Sequence, residues 1–190
     1  MGKVVGYLAA LLRRIGGTSD ETLSIDPLTG LPTRSAVIAE LARSLSKLRH
    51  KAPVALLIIE FSSMVESGEP DTPPERALIA HLGKLLRSWI PLQHIVGHLR
   101  DREFAIVVHH LTMGEVEHLA DDVVERIRSE ASLEARRGQI ATIVGVGYSR
   151  GAECNASQLM SLADIALHYA LATGRSWHAI VDKNSIPKAA

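Results

Sequence analysis

Histidine is the residue type in this sequence with the widest capacity for chemistry. The chain has nine histidines among its 190 residues. His94 and His98 are four positions apart, and His109 and His110 end a neighbouring apolar run. On a strand, residues four apart share a face, so these rings could converge on a metal ion. No carboxylate or cysteine completes a ligand set at a known spacing, so we expect no metal site. Histidines that respond to pH are the alternative.

Two glutamates and a charged turn form a second set of candidate residues. Glu60 lies near the end of the apolar run 54–61, and Glu103 follows the turn Arg100 to Arg102, which separates two further apolar runs. Carboxylates at neighbouring strand ends could bind a divalent cation. They could equally be ordinary polar residues at a strand end and a hairpin edge, with the arginines of the turn as salt-bridge partners. We favour the second interpretation and treat the two glutamates as weak metal candidates.

Composition and charge exclude several classes of protein. The chain is 46% hydrophobic, and its 21 Lys and Arg are balanced by 21 Asp and Glu. A protein that binds nucleic acid by neutralising phosphates needs a basic face, so we expect no nucleic-acid partner. The single cysteine, Cys154, excludes an internal disulfide framework. No apolar run approaches the length that a membrane span needs, and we expect a cytoplasmic protein.

Apolar periodicity predicts the elements that must position these residues. The predicted order is helix, helix, strand, helix, hairpin, helix, strand, helix and strand. Alternating strands and helices with one hairpin imply an α/β fold whose sheet is mixed. The run 54–61 is apolar on both faces and should lie centrally in the sheet. Strands are predicted at 54–61, 94–99, 103–110, 139–149 and 177–181.

Three segments resemble the GGDEF family of diguanylate cyclases. DPLTGLPTR, from Asp26, is similar to the family motif D-x-L-T-G-L-x-N-R, and ADIALHYALATGRS, from Ala163, to A-D-x-A-L-Y-x-A-K-x-x-G-R-N. Between them, RDREF, Arg100 to Phe104, stands in the place of the Gly-Gly-Asp-Glu-Phe signature. The resemblance implies a degenerate GGDEF domain over residues 23–190. It also implies a GGDEF-like (nucleotidyl-cyclase-like) fold with a mixed central sheet of about five strands flanked by helices.

The signature departs from the family at the positions that carry its chemistry. In the family, two GTP molecules react with metal assistance, and two glycines let the backbone approach the phosphates. Arg100 and Asp101 replace those glycines, and Arg102 replaces the metal-binding carboxylate. Glu103 and Phe104 are kept. The resemblance aligns Glu60 with the family's other metal carboxylate.

Base and phosphate recognition depart from the family as well. The guanine-reading Asn aligns with Gly68, and its Asp partner with Glu75. The Lys of the last helix aligns with Leu171, although the following Arg is kept as Arg175. The R-x-x-D motif of product inhibition aligns with residues 91–94, Pro-Leu-Gln-His, so the cyclic-di-GMP inhibitory site is absent.

These departures predict a catalytically inactive GGDEF-like domain. It would act as a regulatory or protein-interaction module in bacterial cyclic-di-GMP-related signalling, with no cofactor. The alternative is a sensor that still binds GTP or another nucleotide through Glu75 and Arg175 without cyclase activity. An active cyclase that tolerates the altered signature is the third alternative.

Residues 1–22 are predicted to form an amphipathic helix and a linker. Thirteen residues make a helix too short to stand alone in water, so its apolar stripe must be covered. Because such a helix commonly pairs with its twin in GGDEF proteins, it could form a homodimer. It could equally dock on its own domain or bind another signalling protein, and we rank membrane contact last. The stripe consists of Val4, Leu8, Leu11 and Ile15.

Overall fold

The computed structural model describes residues 24–48, 52–63, 73–130, 140–150 and 154–181. The predicted N-terminal helix lies outside these residues. Within them, every predicted element is present, and β1 extends two residues beyond its predicted end. The helices are α1 (Arg34–Leu48), α2 (Pro73–Trp89), α3 (Met113–Ser129) and α4 (Ala156–Thr173). The strands are β1 (Val54–Ser63), β2 (Ile95–Arg100), β3 (Glu103–His109), β4 (Ile140–Ser149) and β5 (Trp177–Ile180).

The five strands form one mixed sheet in the order β2-β3-β1-β4-β5. β1 pairs antiparallel with β3 and β4, β2 pairs antiparallel with β3, and β4 pairs parallel with β5. β1 is therefore the central strand, as its unbroken apolar sequence predicts. The α/β class and the mixed sheet are both confirmed.

Alternate residues of β1 supply two hydrophobic cores, one on each face of the sheet. Leu57 and Ile59 pack in the core beneath α2 and α3. Leu56 and Ile58 pack in the core beneath α1 and α4. Because side chains alternate along a strand, each charged residue at the strand ends is assigned to one face. Among the helices of the described part of the chain, none has the length and apolarity needed to cross a bilayer.

Local signals set the limits of α4. Asn155 caps its first turn by accepting a hydrogen bond from the backbone of Gln158, whose side chain accepts one in return. Gly174 ends the helix in the left-handed conformation, with φ of 66°. The helix lies directly against β4 at Gly145 and Gly147, where strand and helix backbones come close. These contacts determine which α4 residues face the end of the sheet.

Candidate functional site at the hairpin tip

The β2–β3 hairpin places the charged turn at one end of the sheet. β2 ends at Arg100, which pairs with Glu103 at the start of β3. The hairpin tip (residues 100–102) is therefore where the sequence predicts it. Asp101, an exposed residue, has φ of 38°, in the left-handed region that favours glycine. The tip keeps a glycine-like backbone while carrying a carboxylate at that position.

An ion pair ties the hairpin tip to α2. Arg102 donates from Nε and Nη2 to Oε1 of Glu75, which lies in the first turn of α2. The Glu75 side chain is 15% exposed, so this carboxylate is largely withdrawn from water. No local sequence pattern predicts this contact, because the two residues are 27 positions apart.

Substituting the two residues of this ion pair measures how much the pair contributes to the stability of the hairpin tip. Because the Arg102 side chain is 37% exposed, water screens the attraction. A double-mutant cycle with Arg102→Gln and Glu75→Gln should therefore give a coupling of about 0.5–1 kcal/mol in urea unfolding. The matched control is the exposed pair Arg128 and Glu125 on one helix, whose Nη1 and Oε1 atoms are 2.7 Å apart, and for which we expect weaker coupling. Equal coupling in both cycles would contradict a special role for the Arg102 pair.

The two weak metal candidates lie side by side. Glu60 and Glu103 are directly opposite in the β1–β3 register, so their side chains share one face. Like charges in this arrangement repel each other. Arg100 compensates by placing Nη2 2.8 Å from Oε1 of Glu103. The other carboxylate oxygen of Glu103 is buried and has no hydrogen-bond partner among the described residues.

A third carboxylate, Asp164 of α4, lies close to the same charges. Burial raises the pKa of Asp164, the negative charge of Glu103 adds to this, and the cations Arg34 and Arg100 oppose it. Sequence reasoning treated Asp164 only as a motif residue. Its proximity to the tip depends on how α4 packs on β4, which no local pattern reveals.

These residues do not fit the magnesium ion that the GGDEF resemblance implies. Magnesium prefers near-octahedral oxygen ligands. Here Arg102 contributes a cation, and Glu103 is already engaged by Arg100. In the part of the chain that the structure describes, no group of three or more His, Cys, Asp or Glu residues is placed to hold a metal ion. We derive no reaction step through a metal at this position.

The histidines of β2 do not converge as one interpretation of their spacing suggested. His94 precedes β2, and its ring lies beside that of His109, with centroids 6.3 Å apart. The two line a cavity of about 320 Å³ beside α1. His98 instead faces the Asp26 loop (residues 26–33) and the hairpin tip. The strand starts one residue later than predicted, and the two rings point to different surroundings.

The Asp26 loop is held together by one carboxylate. Asp26 Oδ1 accepts hydrogen bonds of 2.7 Å from both the backbone and the hydroxyl of Thr29. Burial alone would raise the pKa of Asp26, but these hydrogen bonds and the nearby His98 outweigh it and hold the pKa below its ordinary value of 3.8. The ionised carboxylate therefore stabilises the folded state.

Removing this carboxylate should produce a pH-dependent loss of stability. We expect Asp26→Ala to lower the free energy of unfolding by about 1–2 kcal/mol at neutral pH, because hydrogen bonds to a charged group are lost. A depressed pKa contributes stability above the unfolded-state value, and this contribution disappears as pH falls through the folded-state pKa. The difference in the free energy of unfolding between wild type and variant should therefore become smaller below about pH 4. Urea unfolding across this range checks it, with Asp122→Ala as an exposed control. A gap independent of pH would contradict the assignment.

Glu75 and Arg175, the candidate nucleotide-binding pair, have separate surroundings. Arg175 is exposed just after α4, and its backbone N–H donates to the carbonyl of Ala170 at 2.9 Å. Burial and the charge of Arg175 lower the pKa of His178. No hydrogen bond or ion pair within the described ranges joins Arg175 to Glu75.

Leu171, one turn before Arg175, is 53% exposed. Gly68 and the N-terminal stripe lie outside the described residues.

Solved structures share this fold. The GGDEF domain of FimX from Pseudomonas aeruginosa matches with a TM-score of 0.71 and 20% identity over 84% of this chain and 100% of that chain. The coiled coil and GGDEF domain of DgcB from Caulobacter crescentus, in complex with c-di-GMP, matches with a TM-score of 0.70 and 18% identity over 94% of this chain and 93% of that chain. The diguanylate cyclase SiaD, in complex with its activator SiaC from Pseudomonas aeruginosa, matches with a TM-score of 0.70 and 20% identity over 95% of this chain and 70% of that chain.

Sequence comparison gives the family directly. A comparison with curated proteins returned no match. The family profile described as "Diguanylate cyclase, GGDEF domain" matches residues 76–176, just over half of the chain. This range includes the hairpin tip and the whole of the motif that begins at Ala163. With the GGDEF fold present around the same residues, the chain belongs to the GGDEF domain family.

Proposed function

We propose that this GGDEF domain does not make cyclic di-GMP and acts as a regulatory or protein-interaction module in bacterial cyclic-di-GMP-related signalling. The ion pair between Arg102 and Glu75 carries the proposal. Arg102 stands at the signature's metal-binding position, and Glu75 aligns with a base-reading residue. A single internal contact therefore engages two positions that an active domain would offer to its metal and its nucleotide.

The rest of the hairpin tip supports the same proposal. Phosphoryl transfer depends almost wholly on positioning and charge stabilisation. Arg100 and Asp101 put side chains where a triphosphate needs bare backbone, and the carboxylate of Asp101 would repel phosphate. Leu171 cannot pair with an anion. Each change alone weakens one requirement of catalysis, and together they affect metal, phosphate and base recognition.

An assay of cyclic di-GMP synthesis from GTP tests the proposal. With magnesium or manganese, and with an active diguanylate cyclase as positive control, we expect no product from this chain. A second arm uses the triple variant Arg100→Gly, Asp101→Gly and Arg102→Asp. We expect little gain from it, because Leu171 and Gly68 remain unchanged. Measurable synthesis by the unaltered chain would overturn the proposal.

Nucleotide sensing without catalysis is the second candidate function. The retained Arg175 favours it, while the engagement of Glu75 by Arg102 opposes it. A nucleotide that used Glu75 would have to displace Arg102. Isothermal titration with GTP, GDP and cyclic di-GMP separates the candidates, and Arg102→Gln provides a variant in which Glu75 is released. Heat from the unaltered chain that is lost in Arg175→Gln would support the sensor. No heat from any ligand leaves the interaction role.

The partner is proposed to be another signalling protein or a second copy of this chain. SiaD was crystallised with its activator SiaC, so a GGDEF protein of this fold binds a protein partner. For this chain, the candidate surface is the stripe of Val4, Leu8, Leu11 and Ile15. Light scattering of the full chain and of Leu8→Glu with Leu11→Glu tests it. A lower mass in the variant supports a homodimer, and an unchanged mass with lower thermal stability supports self-docking. A pull-down with and without residues 1–17 tests for other partners.

A further inference from the structure

His98 lies where both of its ring nitrogens meet oxygen acceptors. Nδ1 is 3.2 Å from Oδ1 of Asp26, and Nε2 is 2.9 Å from the backbone carbonyl oxygen of Asp101. The side chain is only 9% exposed, so water has little access to either contact. One buried ring thus connects the Asp26 loop to the hairpin tip.

Neither acceptor can act as a donor at neutral pH. A backbone carbonyl carries no proton. Asp26 is ionised, since Oδ1 already accepts two hydrogen bonds from Thr29. A neutral imidazole has one N–H and one lone pair, so one of its two contacts would place a lone pair against an oxygen. Only the doubly protonated ring donates to both Asp26 and Asp101.

We propose that His98 is a pH-responsive latch of the hairpin tip. The imidazolium donates one hydrogen bond to the tip backbone and one to the Asp26 loop. Loss of one ring proton removes the hydrogen bond to the carbonyl of Asp101. Histidine is the side chain whose unperturbed charge changes between about pH 5 and pH 8. This property is independent of whether the domain binds a nucleotide.

The geometry also indicates which contact is lost. The remaining proton stays on Nδ1, because a hydrogen bond to a carboxylate is stronger than one to a neutral carbonyl. Nε2 then presents a lone pair to the carbonyl oxygen, and the two repel each other. Asp101 has a left-handed backbone, with φ of 38°, which L-residues adopt at a cost of about 1–2 kcal/mol. Release from His98 therefore favours rearrangement of the tip rather than of the loop.

The groups that face His98 come from the Asp26 loop, the hairpin tip and β3. The Asp26 loop contributes the carboxylate of Asp26, and the tip contributes the backbone carbonyl of Asp101. The side chain of the next tip residue, Arg102, is paired with Glu75 of α2. β3 contributes an uncharged ring, Phe104, with its centroid 4.9 Å from that of His98. Because side chains alternate on a strand, the residue before Phe104 points to the opposite face of the sheet. The titratable groups grouped near the tip on that face are Glu103, Asp164 and His168.

Nitrogen-15 NMR of the full chain from about pH 5 to about pH 8 tests the latch. At the acid end, we expect both ring nitrogens of His98 to carry protons. The backbone amides of Asp101 and Arg102 should shift with the same midpoint as the ring. His98→Gln should lose this titration, and His98→Arg should hold the tip in its low-pH form throughout. His118→Gln is the control, because this exposed histidine lies far along the chain on α3, and its ring Nδ1 hydrogen-bonds to the Gly114 carbonyl of its own helix at 2.7 Å.

Two results would overturn the proposal. One is a His98 ring that keeps an unprotonated nitrogen at the acid end of the range. The other is a set of tip amides whose titration is the same in His98→Gln as in the unaltered chain. If the glutamine variant fails to fold, the ring spectrum of the unaltered chain still decides the question.

Discussion

Gly145→Ala should lower the free energy of unfolding by about 3 kcal/mol, because β4 and α4 leave no room for a methyl group. A Cβ at this position would lie 2.3 Å from the backbone oxygen of Ala163 and 2.4 Å from the backbone nitrogen of Leu167. Both are backbone atoms of α4, so the whole helix has to move. Such a movement would disturb the core between α4 and the sheet, and with it the position of Asp164 near the hairpin tip.

Gly114→Ala is the matched control for this prediction. A Cβ at Gly114 would meet no atom within 4 Å, and the residue lies in the first turn of α3. Alanine there should leave stability unchanged or raise it by up to about 1 kcal/mol. Urea unfolding measures both variants, and equal m-values make the comparison valid. A loss below about 1 kcal/mol for Gly145→Ala would show that α4 is not so close to β4.

Phe104→Ala should cost about 3–5 kcal/mol of stability, as large buried aromatic residues do when truncated. Phe104 is fully buried, with 0% exposure, and packs edge-to-face with Phe61 at a centroid distance of 5.6 Å. It also contacts His98, so its loss should alter the surroundings of the proposed latch. Phe104 therefore has a structural role in the core beneath α2 and α3.

Leu92→Ala is the control for this second prediction. Leu92 is 62% exposed in the turn before β2, and truncation should change stability by no more than about 0.5 kcal/mol. Thermal and urea unfolding, followed by circular dichroism, measure both variants. A small effect for Phe104→Ala would contradict its assignment to the core beneath α2 and α3.

The strands and the hairpin could be predicted because their signals are local. The continuous apolar run of β1 indicates burial on both faces, and the three charged residues between β2 and β3 indicate a tight turn. For Glu60 and Glu103, the sequence predicts only a strand end and a hairpin edge. Their direct pairing is set by the β1–β3 register.

The histidines show where spacing alone is insufficient. His94 and His98 are four apart, which would place both on one face of a long strand. The strand begins at Ile95, and the two rings have different partners. The start of a strand depends on pairing with its neighbour, and the partner of a side chain depends on which loop packs beside it. Neither is encoded in a local pattern.

Sequence by itself determined the α/β class, the central strand and the hairpin tip, since each depends on residue type or on short-range periodicity. Tertiary structure decided that Arg102 pairs with Glu75 and that His98 joins Asp26 to Asp101. It also decided that, of the two turn arginines expected near the glutamates, Arg100 is the one that engages Glu103. Charged side chains choose partners by distance and burial in the folded chain, and packing of loops and helices on the sheet sets both.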